Sequence, residues 1–363
     1  MAQTTEPAEV RARVLMEGNV AFGEGAIRAG CEAFFGYPIT PQTELLEFMS
    51  RRMPELGRVF VQAESEIAAI NMVIGAAATG TRVMTSSSSP GISLKQEGIS
   101  YLAGNELPAV IVNVMRGGPG LGNIAPAQGD YFQATKGGGH GIYHPIVLAP
   151  ASVQEAMDLT ALAFDLADRY RSPVMVLADG VIGQTVEAVE LREYPRPADL
   201  QPKSWAVGCC AGREKNLLYS LELEPEKLEV RNQWLVRKTA AIKEKEVRWA
   251  GHQLEDAEVA IIAFGTPARV ALSAARVARA DGMKVGIFRP ITLFPFPEKE
   301  IADLAQRVKG ILVVELNQGQ MLEDVQRAVL GMTEIRFLSR LGGSVVSPEE
   351  VLVAVKGFWE GTI

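Results

Sequence analysis

The segment Glu32-Ala33-Phe34-Phe35-Gly36-Tyr37-Pro38-Ile39-Thr40-Pro41 joins a short apolar run to a rigid turn. The run at 32–37 predicts a buried strand, and the prolines that follow restrict the backbone of the turn. A periodic stretch at 42–52 then predicts a helix. Strand, turn and helix in this order form the unit of a parallel α/β sheet, whose ligands bind at the carboxyl ends of the strands.

The same unit recurs along the rest of the chain. Further strands of the first half are predicted at 58–62, 82–86, 109–115 and 173–177. Strands of the second half are predicted at 259–264, 284–289, 311–315 and 335–338. Proline-rich and then highly charged sequence separates the two halves and predicts a linker with one long polar helix near 230–250. The predicted fold class is therefore α/β, with two doubly wound domains at 12–190 and 257–363 and a linker at 191–256.

The composition excludes several classes of protein. With 363 residues, 47% of them hydrophobic and 22% charged, the chain is typical of a globular protein with two cores. Its net charge of -7 argues against non-specific binding to nucleic acid, which requires a basic surface. No apolar run has membrane-spanning length, and residues 1–7 lack the pattern of a secretory signal. We therefore expect a cytoplasmic protein without nucleic-acid or membrane partners.

Cysteine and histidine are scarce. Cys31 stands alone, Cys209 and Cys210 are adjacent, and no Cys-x-x-Cys pair occurs. We therefore expect this chain to hold neither an iron–sulfur cluster nor a structural zinc ion. His140 and His144 lie in a glycine-rich stretch that is too irregular to form a helical metal pair. No metal-binding residues are predicted in this chain.

Two polar residues follow predicted strands on the ligand side of the first sheet. Thr40 offers a hydroxyl on a rigid loop, although its position before a helix also suits a helix cap. Glu66 begins an apolar helix, where an acidic residue ordinarily offsets the helix dipole. Its alternative role is that of a carboxylate in dry surroundings that exchanges a proton with a ligand.

The third candidate is Arg116, which follows the strand predicted at 109–115 and precedes the glycine-rich residues 117–122. Glycine allows a ligand to approach the backbone, and an arginine fork suits a carboxylate. The spacing of Gly120, Gly122 and Ala125 also fits a loose dinucleotide fingerprint. Pro126 interrupts the helix that this fingerprint requires, so an NAD-dependent dehydrogenase remains the weaker alternative.

Several motifs in a fixed order resemble the alpha-type subunit of the 2-oxoacid:ferredoxin oxidoreductases, and the 2-oxoisovalerate (branched-chain) type in particular. The resemblance spans nearly the whole chain. The motifs are 36–41 (GYPITP), 64–66 (ESE), 88–91 (SSPG), 116–119 (RGGP), 289–297 (RPITLFPFP) and 314–321 (VELNQGQM). Ile142 departs from the family, in which many members carry an acidic residue there, so the role of the His140 loop stays open.

The resemblance implies a first domain like the pyrimidine-binding domain of thiamin diphosphate enzymes and a second like the carboxyl-terminal domain of transketolases. Glu66 matches the catalytic glutamate that contacts the aminopyrimidine ring and favours its imino tautomer. Tyr37, Pro38 and Ile39 would line the cofactor. Thr40 and Arg116 match positions that hold the substrate carboxylate.

The implied reaction is the coenzyme A-dependent oxidative decarboxylation of a 2-oxoacid, with electrons passed to ferredoxin. The chain has no Gly-Asp-Gly start of a magnesium and diphosphate site. The resemblance therefore implies that thiamin diphosphate is shared with a beta-type subunit that holds Mg²⁺, and that a gamma-type subunit and a ferredoxin-like subunit with [4Fe-4S] clusters complete the enzyme.

The residues leave the substrate open. Apolar Leu121, Ile124 and Ala125 suit a branched aliphatic tail, whereas pyruvate and 2-oxoglutarate remain alternatives. A second hypothesis is a non-catalytic scaffold subunit that keeps the fold while the chemistry lies elsewhere.

Overall fold

The computed structural model of the chain describes residues 13–360. The prediction about a secretory signal at residues 1–7 lies outside this part, as does residue 12. The strands are β1 (Arg13–Glu17), β2 (Ala33–Gly36), β3 (Val59–Gln62), β4 (Val83–Ser87), β5 (Ala109–Met115), β6 (Ile146–Leu148), β7 (Pro173–Asp179), β8 (Val186–Glu190), β9 (Trp249–His252), β10 (Val259–Ile262), β11 (Val285–Pro290), β12 (Thr292–Phe294), β13 (Gly310–Glu315) and β14 (Glu334–Ser339).

Helices alternate with these strands. They are α1 (Gly18–Arg28), α2 (Thr43–Glu55), α3 (Glu66–Ala78), α4 (Ser89–Gly104), α5 (Tyr131–Thr135), α6 (Val153–Tyr170), α7 (Gly180–Gln184), α8 (Pro225–Lys245), α9 (Gly265–Ala280), α10 (Glu298–Ala305), α11 (Gln320–Val329) and α12 (Pro348–Glu360). Serine side chains cap the N-termini of three of them: Ser65 accepts a hydrogen bond from the Ala68 amide, Ser152 accepts one from the Glu155 amide, and Ser347 accepts one from the Glu350 amide. No helix within residues 13–360 is both long and apolar enough to cross a bilayer.

The first sheet has seven strands in the order β12-β6-β7-β5-β4-β2-β3. Strands β2 to β7 run parallel, whereas β12 is antiparallel to β6. Every residue of β5 is buried, as expected for a parallel strand that is covered by helices on both faces. The predicted strands at 32–37, 58–62, 82–86, 109–115 and 173–177 all form in this sheet, and the α/β fold class is confirmed.

The second sheet has the order β14-β13-β10-β11-β9, with β9 antiparallel to β11. Its four predicted strands form, and helices cover both of its faces. One continuous apolar core contains residues of both sheets, including Ile111 and Met175 of the first and Ile262 and Val313 of the second. The two domains therefore share a core.

Some elements differ from the prediction. Strand β12 follows β11 in the chain but pairs with β6 of the first sheet, so the second domain is not self-contained. Strand β9 lies in the segment predicted as a linker, where no strand was expected. The long polar helix forms as α8, but it ends at Lys245, before β9 begins. Strand β12 has only three residues, and β9 (Trp-Ala-Gly-His) contains no apolar run, so neither shows a strand pattern in the sequence.

Two smaller features also differ from what the sequence predicts. Four consecutive serines at 86–89 predict a loop from the sequence, but Ser86 and Ser87 belong to β4 and Ser89 begins α4. Strands β1 and β8 form a separate antiparallel pair that the sequence did not predict. The domain boundaries at 190 and 257 stay a prediction.

Candidate active site

The loops after four neighbouring strands meet at one edge of the first sheet. These strands lie side by side in the order β3-β2-β4-β5, and all are parallel. Parallel strands end at the same edge, so the residues that follow them lie together. Glu66 follows β3, Thr40 follows β2, Ser88 follows β4 and Arg116 follows β5.

Glu66 is the first residue of α3, and its side chain is only 7% exposed. Within residues 13–360 its carboxylate forms no hydrogen bond or ion pair. A buried carboxylate without a hydrogen-bond donor is costly, and such groups usually have a partner. The Glu66 carboxylate therefore keeps its capacity to accept hydrogen bonds, and we treat it as the central candidate of the site.

The pocket beside Glu66 contains more polar atoms without partners. The hydroxyls of Ser87 and Ser88 and the amide oxygen of Asn113 are buried and form no hydrogen bond among the described residues. Gly91 makes room for them, since a Cβ there would lie 2.1 Å from Ser87 Oγ and 2.7 Å from Glu66 Oε1. Ser87 Oγ and the Glu66 carboxylate thus both lie against the first turn of α4, where polar atoms remain available for hydrogen bonds.

Arg116 is buried immediately after β5, with 9% of its surface exposed. Its Nη1 donates to the carbonyl of Thr40 at 3.0 Å, and its Nη2 donates to the carbonyl of Leu121 at 3.2 Å. Its Nε is buried without an acceptor in the described part of the chain. The guanidinium thus joins two loops and keeps further N–H groups for an anion.

The loop with Tyr37, Pro38 and Ile39 is held through its main chain. Gln42 is fully buried, and it donates from Nε2 to the Tyr37 carbonyl at 3.4 Å and from its backbone amide to the Ile39 carbonyl at 3.1 Å. Ser86 Oγ donates to Gln42 Oε1 at 2.5 Å. Sequence reasoning did not identify Gln42, because nothing in the local pattern distinguishes it from an ordinary helix residue.

Thr40 does not cap a helix. Helix α2 begins at Thr43, its N-cap residue is Gln42, and no side chain caps it. The interpretation of Thr40 as a helix cap is therefore wrong. Thr40 instead accepts the Arg116 hydrogen bond through its carbonyl oxygen.

Asp130 organises the start of α4. Its Oδ2 accepts hydrogen bonds from Ser89 Oγ at 2.6 Å and from Asn113 Nδ2 at 2.9 Å, and Ser89 Oγ in turn lies 3.1 Å from the Arg116 amide. Burial raises the pKa of Asp130, although these hydrogen bonds oppose the effect. Asp130 lies at the end of the loop of residues 116–130, called the arginine loop below, and it connects this loop with β5 and α4.

The second domain holds the arginine loop from the other side. Gln128 donates through Nε2 to the Phe264 carbonyl at 3.0 Å and accepts the Leu316 amide at 3.0 Å. Asn317 Nδ2 donates to the Gln128 carbonyl at 2.9 Å. The motif at 314–321 therefore positions a segment of the first domain.

Glu315 belongs to this motif and holds its backbone in place. It is fully buried and accepts hydrogen bonds from Asn317 Nδ2 and from the amides of Met321 and Leu322. Burial raises its pKa to about 7, while these hydrogen bonds act in the opposite direction. Desolvation outweighs three donors here because no cation pairs with the carboxylate in the described residues.

We expect Glu315 to make stability depend on pH. Its pKa is raised in the folded chain, so between pH 4.5 and about 7 the folded protein keeps a proton that the unfolded chain releases. The stabilising contribution is therefore complete below pH 4.5 and is lost as the pH rises through about 7. In Glu315→Gln this contribution disappears, and the difference in unfolding free energy from wild type should change by up to about 3 kcal/mol across the window. Calorimetric melting at several pH values measures it, and a difference independent of pH would contradict the assignment.

The alternative sites are not assembled. Residues 117–125 form a loop and no helix follows directly, since the next helix is α5 at Tyr131, so the dinucleotide fingerprint is not realised. His144 stacks on Phe294 and bonds the Thr135 carbonyl, while His140 is exposed. Within residues 13–360, no three His, Cys, Asp or Glu side chains are grouped so that they could hold a metal ion.

These features define a two-domain α/β protein with a candidate ligand site at the carboxyl edge of its parallel sheet, where a buried carboxylate and a buried arginine lie. Residues 24–231 match a family model described as the thiamine diphosphate-binding domain of pyruvate flavodoxin/ferredoxin oxidoreductase. Residues 257–351 match core domain II of pyruvate:ferredoxin oxidoreductase.

Similar proteins agree with these matches. Ketoisovalerate oxidoreductase subunit VorB of Methanothermobacter marburgensis is 54% identical over 94% of this chain and 97% of its own length. The 2-oxoglutarate synthase subunit KorA of Methanothermobacter thermautotrophicus is 39% identical over 93% of this chain and 96% of its own. The chain belongs to the 2-oxoacid:ferredoxin oxidoreductase family, and the expectation of an oxidoreductase subunit of this family is confirmed.

Solved structures show the same fold. The 2-oxoglutarate:ferredoxin oxidoreductase from Magnetococcus marinus, solved with 2-oxoglutarate, coenzyme A and succinyl-CoA bound, superposes with a TM-score of 0.87 at 28% identity. The match covers 98% of this chain and 66% of that one. A split-gene transketolase in an inactive beta4 tetramer has a TM-score of 0.58 at 12% identity, which shows the fold alone.

Proposed function

We propose that this chain supplies the aminopyrimidine side of a thiamin diphosphate active site in a multi-subunit, coenzyme A-dependent 2-oxoacid:ferredoxin oxidoreductase that acts on branched-chain 2-oxoacids such as 2-oxoisovalerate. The single observation that carries the proposal is Glu66, a buried carboxylate without a partner among the described residues, on the same sheet edge as Arg116. The family matches support the cofactor, and the VorB relative supports the substrate.

The residues around Glu66 would hold the cofactor. Glu66 would bond a ring nitrogen, and the unpartnered hydroxyls of Ser87 and Ser88 offer further donors or acceptors in the same pocket. Tyr37, Pro38 and Ile39 present a loop that Gln42 holds in place. When bound, thiamin diphosphate supplies the carbon nucleophile and the electron sink that decarboxylation of a 2-oxoacid needs.

Arg116 would bind the substrate carboxylate, and Thr40 would orient it. The guanidinium lies beside Thr40 and is already oriented by two carbonyl oxygens, so little conformational entropy is lost when an anion binds. The apolar side chains of Leu121 and Ile124 are largely exposed on the same loop. An exposed apolar loop beside a carboxylate-binding arginine fits an aliphatic 2-oxoacid whose pocket is closed by a partner chain.

Partner chains would complete the enzyme. We propose a beta-type subunit for the diphosphate and Mg²⁺, a ferredoxin-like subunit for [4Fe-4S] clusters, a gamma-type subunit, and ferredoxin as the electron acceptor. This part of the proposal is supported by the relatives' names as subunits and by the absence of a Gly-Asp-Gly motif from the sequence. A cytoplasmic location belongs to the same proposal, and the exposed free thiols of Cys209 and Cys210 are consistent with a reducing compartment.

Substrate choice is tested by comparing turnover on four 2-oxoacids. The complex, purified with its partner chains, should reduce a viologen dye in a reaction that requires coenzyme A and a 2-oxoacid. We expect the highest kcat/KM with 2-oxoisovalerate, compared with pyruvate, 2-oxoglutarate and an aryl 2-oxoacid. A preference for 2-oxoglutarate would overturn the branched-chain assignment.

Replacement of Arg116 tests the substrate site. In Arg116→Gln we expect KM for the 2-oxoacid to rise about ten- to hundredfold, because a charge-assisted hydrogen bond to the carboxylate is lost. The affinity for thiamin diphosphate should change little. Arg51→Gln removes an exposed arginine of α2 and serves as the matched control. Equal losses of substrate and cofactor affinity would indicate that Arg116 only holds the two loops together.

A further inference from the structure

Lys95 is a fully buried lysine in the middle of α4. Its Nζ donates to Thr85 Oγ1 at 3.2 Å, and no carboxylate lies within ion-pair distance in the described part of the chain. Lysine is almost never fully buried without a counter-charge, because the ammonium loses its hydration. Lys95 therefore needs an explanation beyond packing.

The packing of α4 against α3 places Lys95 on the side of α4 that faces Glu66. A Cβ on Gly91 would lie 2.7 Å from Glu66 Oε1, and a Cβ on Gly98 would lie 2.5 Å from Ile70 Cγ1. Lys95 comes four residues after Gly91 and three before Gly98, so the three share one face of α4. Lys95 thus lies on the face of α4 that packs against α3, one turn after the glycine that faces Glu66.

Among the acidic residues of the elements packed around Lys95, Glu66 alone is left to act as its counter-charge. Glu66 is the only acidic residue of α3, and its negative charge acts on Lys95. Asp130 is bonded to Ser89 and Asn113, and Glu97 lies on the exposed face of α4, where it accepts from Tyr101. The exposed His140 contacts α4 through its carbonyl oxygen, at Ser100.

We propose that Lys95 is a positioning residue for Glu66: its ammonium, anchored on Thr85, supplies the buried positive charge that stabilises the glutamate carboxylate at the place where it would meet the aminopyrimidine. This inference rests on the proposed function. The charges of Lys95 and Glu66 attract each other without a direct hydrogen bond. The carboxylate oxygens of Glu66 therefore remain available to a ligand.

The proposal has a consequence for pH. Burial lowers the pKa of Lys95 to about 8, although the charge of Glu66 opposes this shift. The ammonium therefore loses its proton as the pH rises through about 8, and the counter-charge is lost with it. Affinity for thiamin diphosphate should fall on the alkaline side with this midpoint.

The test uses the complex with its partner chains and the variant Lys95→Met, which keeps length and removes charge. Calorimetric titration with thiamin diphosphate should show an affinity about ten- to hundredfold lower at pH 7 and no alkaline decline near pH 8. Lys227→Met, on the exposed face of α8, is the matched control and should behave as wild type. An unchanged affinity and an unchanged alkaline limb would overturn the proposal.

A second measurement needs no cofactor. In Glu66→Gln the buried ammonium has no counter-charge, so the melting temperature should fall, and adding Lys95→Met should recover much of that loss. Additive effects of the two substitutions would overturn the pairing. The two failures are distinguishable: if Glu66→Gln keeps full activity, the proposed function fails, whereas additive melting effects with an inactive Glu66→Gln remove only the role of Lys95.

Discussion

Glu66→Gln is expected to lower turnover of the 2-oxoacid by about 10²- to 10⁴-fold, the range typical for loss of a positioned acid–base group. Glutamine fits the same volume but cannot supply the carboxylate that favours the imino tautomer of the cofactor. The measurement is coenzyme A-dependent reduction of a viologen dye by the complete complex. A circular dichroism spectrum of the cofactor would show directly whether the tautomer is lost.

Glu64→Gln provides the control for this substitution. Glu64 lies two residues earlier and is exposed, so its replacement should leave turnover unchanged. If Glu66→Gln or Glu66→Ala retains activity, the chemistry lies elsewhere and the hypothesis of a non-catalytic scaffold subunit gains support. Binding of a nicotinamide cofactor by this chain would instead support the dehydrogenase alternative.

Gly91→Ala is expected to abolish cofactor binding or to weaken it by at least about tenfold. The new methyl group would lie 2.1 Å from Ser87 Oγ and 2.7 Å from Glu66 Oε1, so both side chains would have to move. Overpacking of this kind costs typically about 1–3 kcal/mol in stability. Thiamin diphosphate affinity and the melting temperature should therefore both fall.

Gly75→Ala is the matched control, since Gly75 also lies in a helix and a Cβ there would meet nothing within 4 Å. This change should raise stability by about 1 kcal/mol, because alanine favours a helix more than glycine does. Cofactor affinity should stay as in wild type. If Gly91→Ala binds the cofactor normally, the pocket beside Glu66 is not the pyrimidine site.

Local patterns located the loops of the candidate site correctly. Thr40, Glu66 and Arg116 each follow an apolar run, and the structure brings the three loops to one sheet edge. The geometry of parallel strands explains this success, because strands that run in one direction must end at one edge. The same patterns gave no sign that both Nη atoms of Arg116 are already bonded to carbonyl oxygens.

Other parts of the site depend on residues that are far apart in the chain. Gln42 bonds Ser86 across 44 residues, and Gln128 bonds Leu316 across 188. No periodicity or local motif records such pairs. The role of Thr40 was open for the same reason: a threonine before a helix resembles a cap until the first residue of the helix is known.

The amino-acid sequence was sufficient for the fold class, the family and the positions of the loops that form the candidate site, because each of these follows from local periodicity or from the order of motifs. Tertiary structure was needed to show that β12 joins the first sheet, that the motif at 314–321 holds the arginine loop, and that Lys95 is buried on the face of α4 that packs against α3. These features arise from contacts between distant segments, whose energies depend on burial and on charge in a shared core.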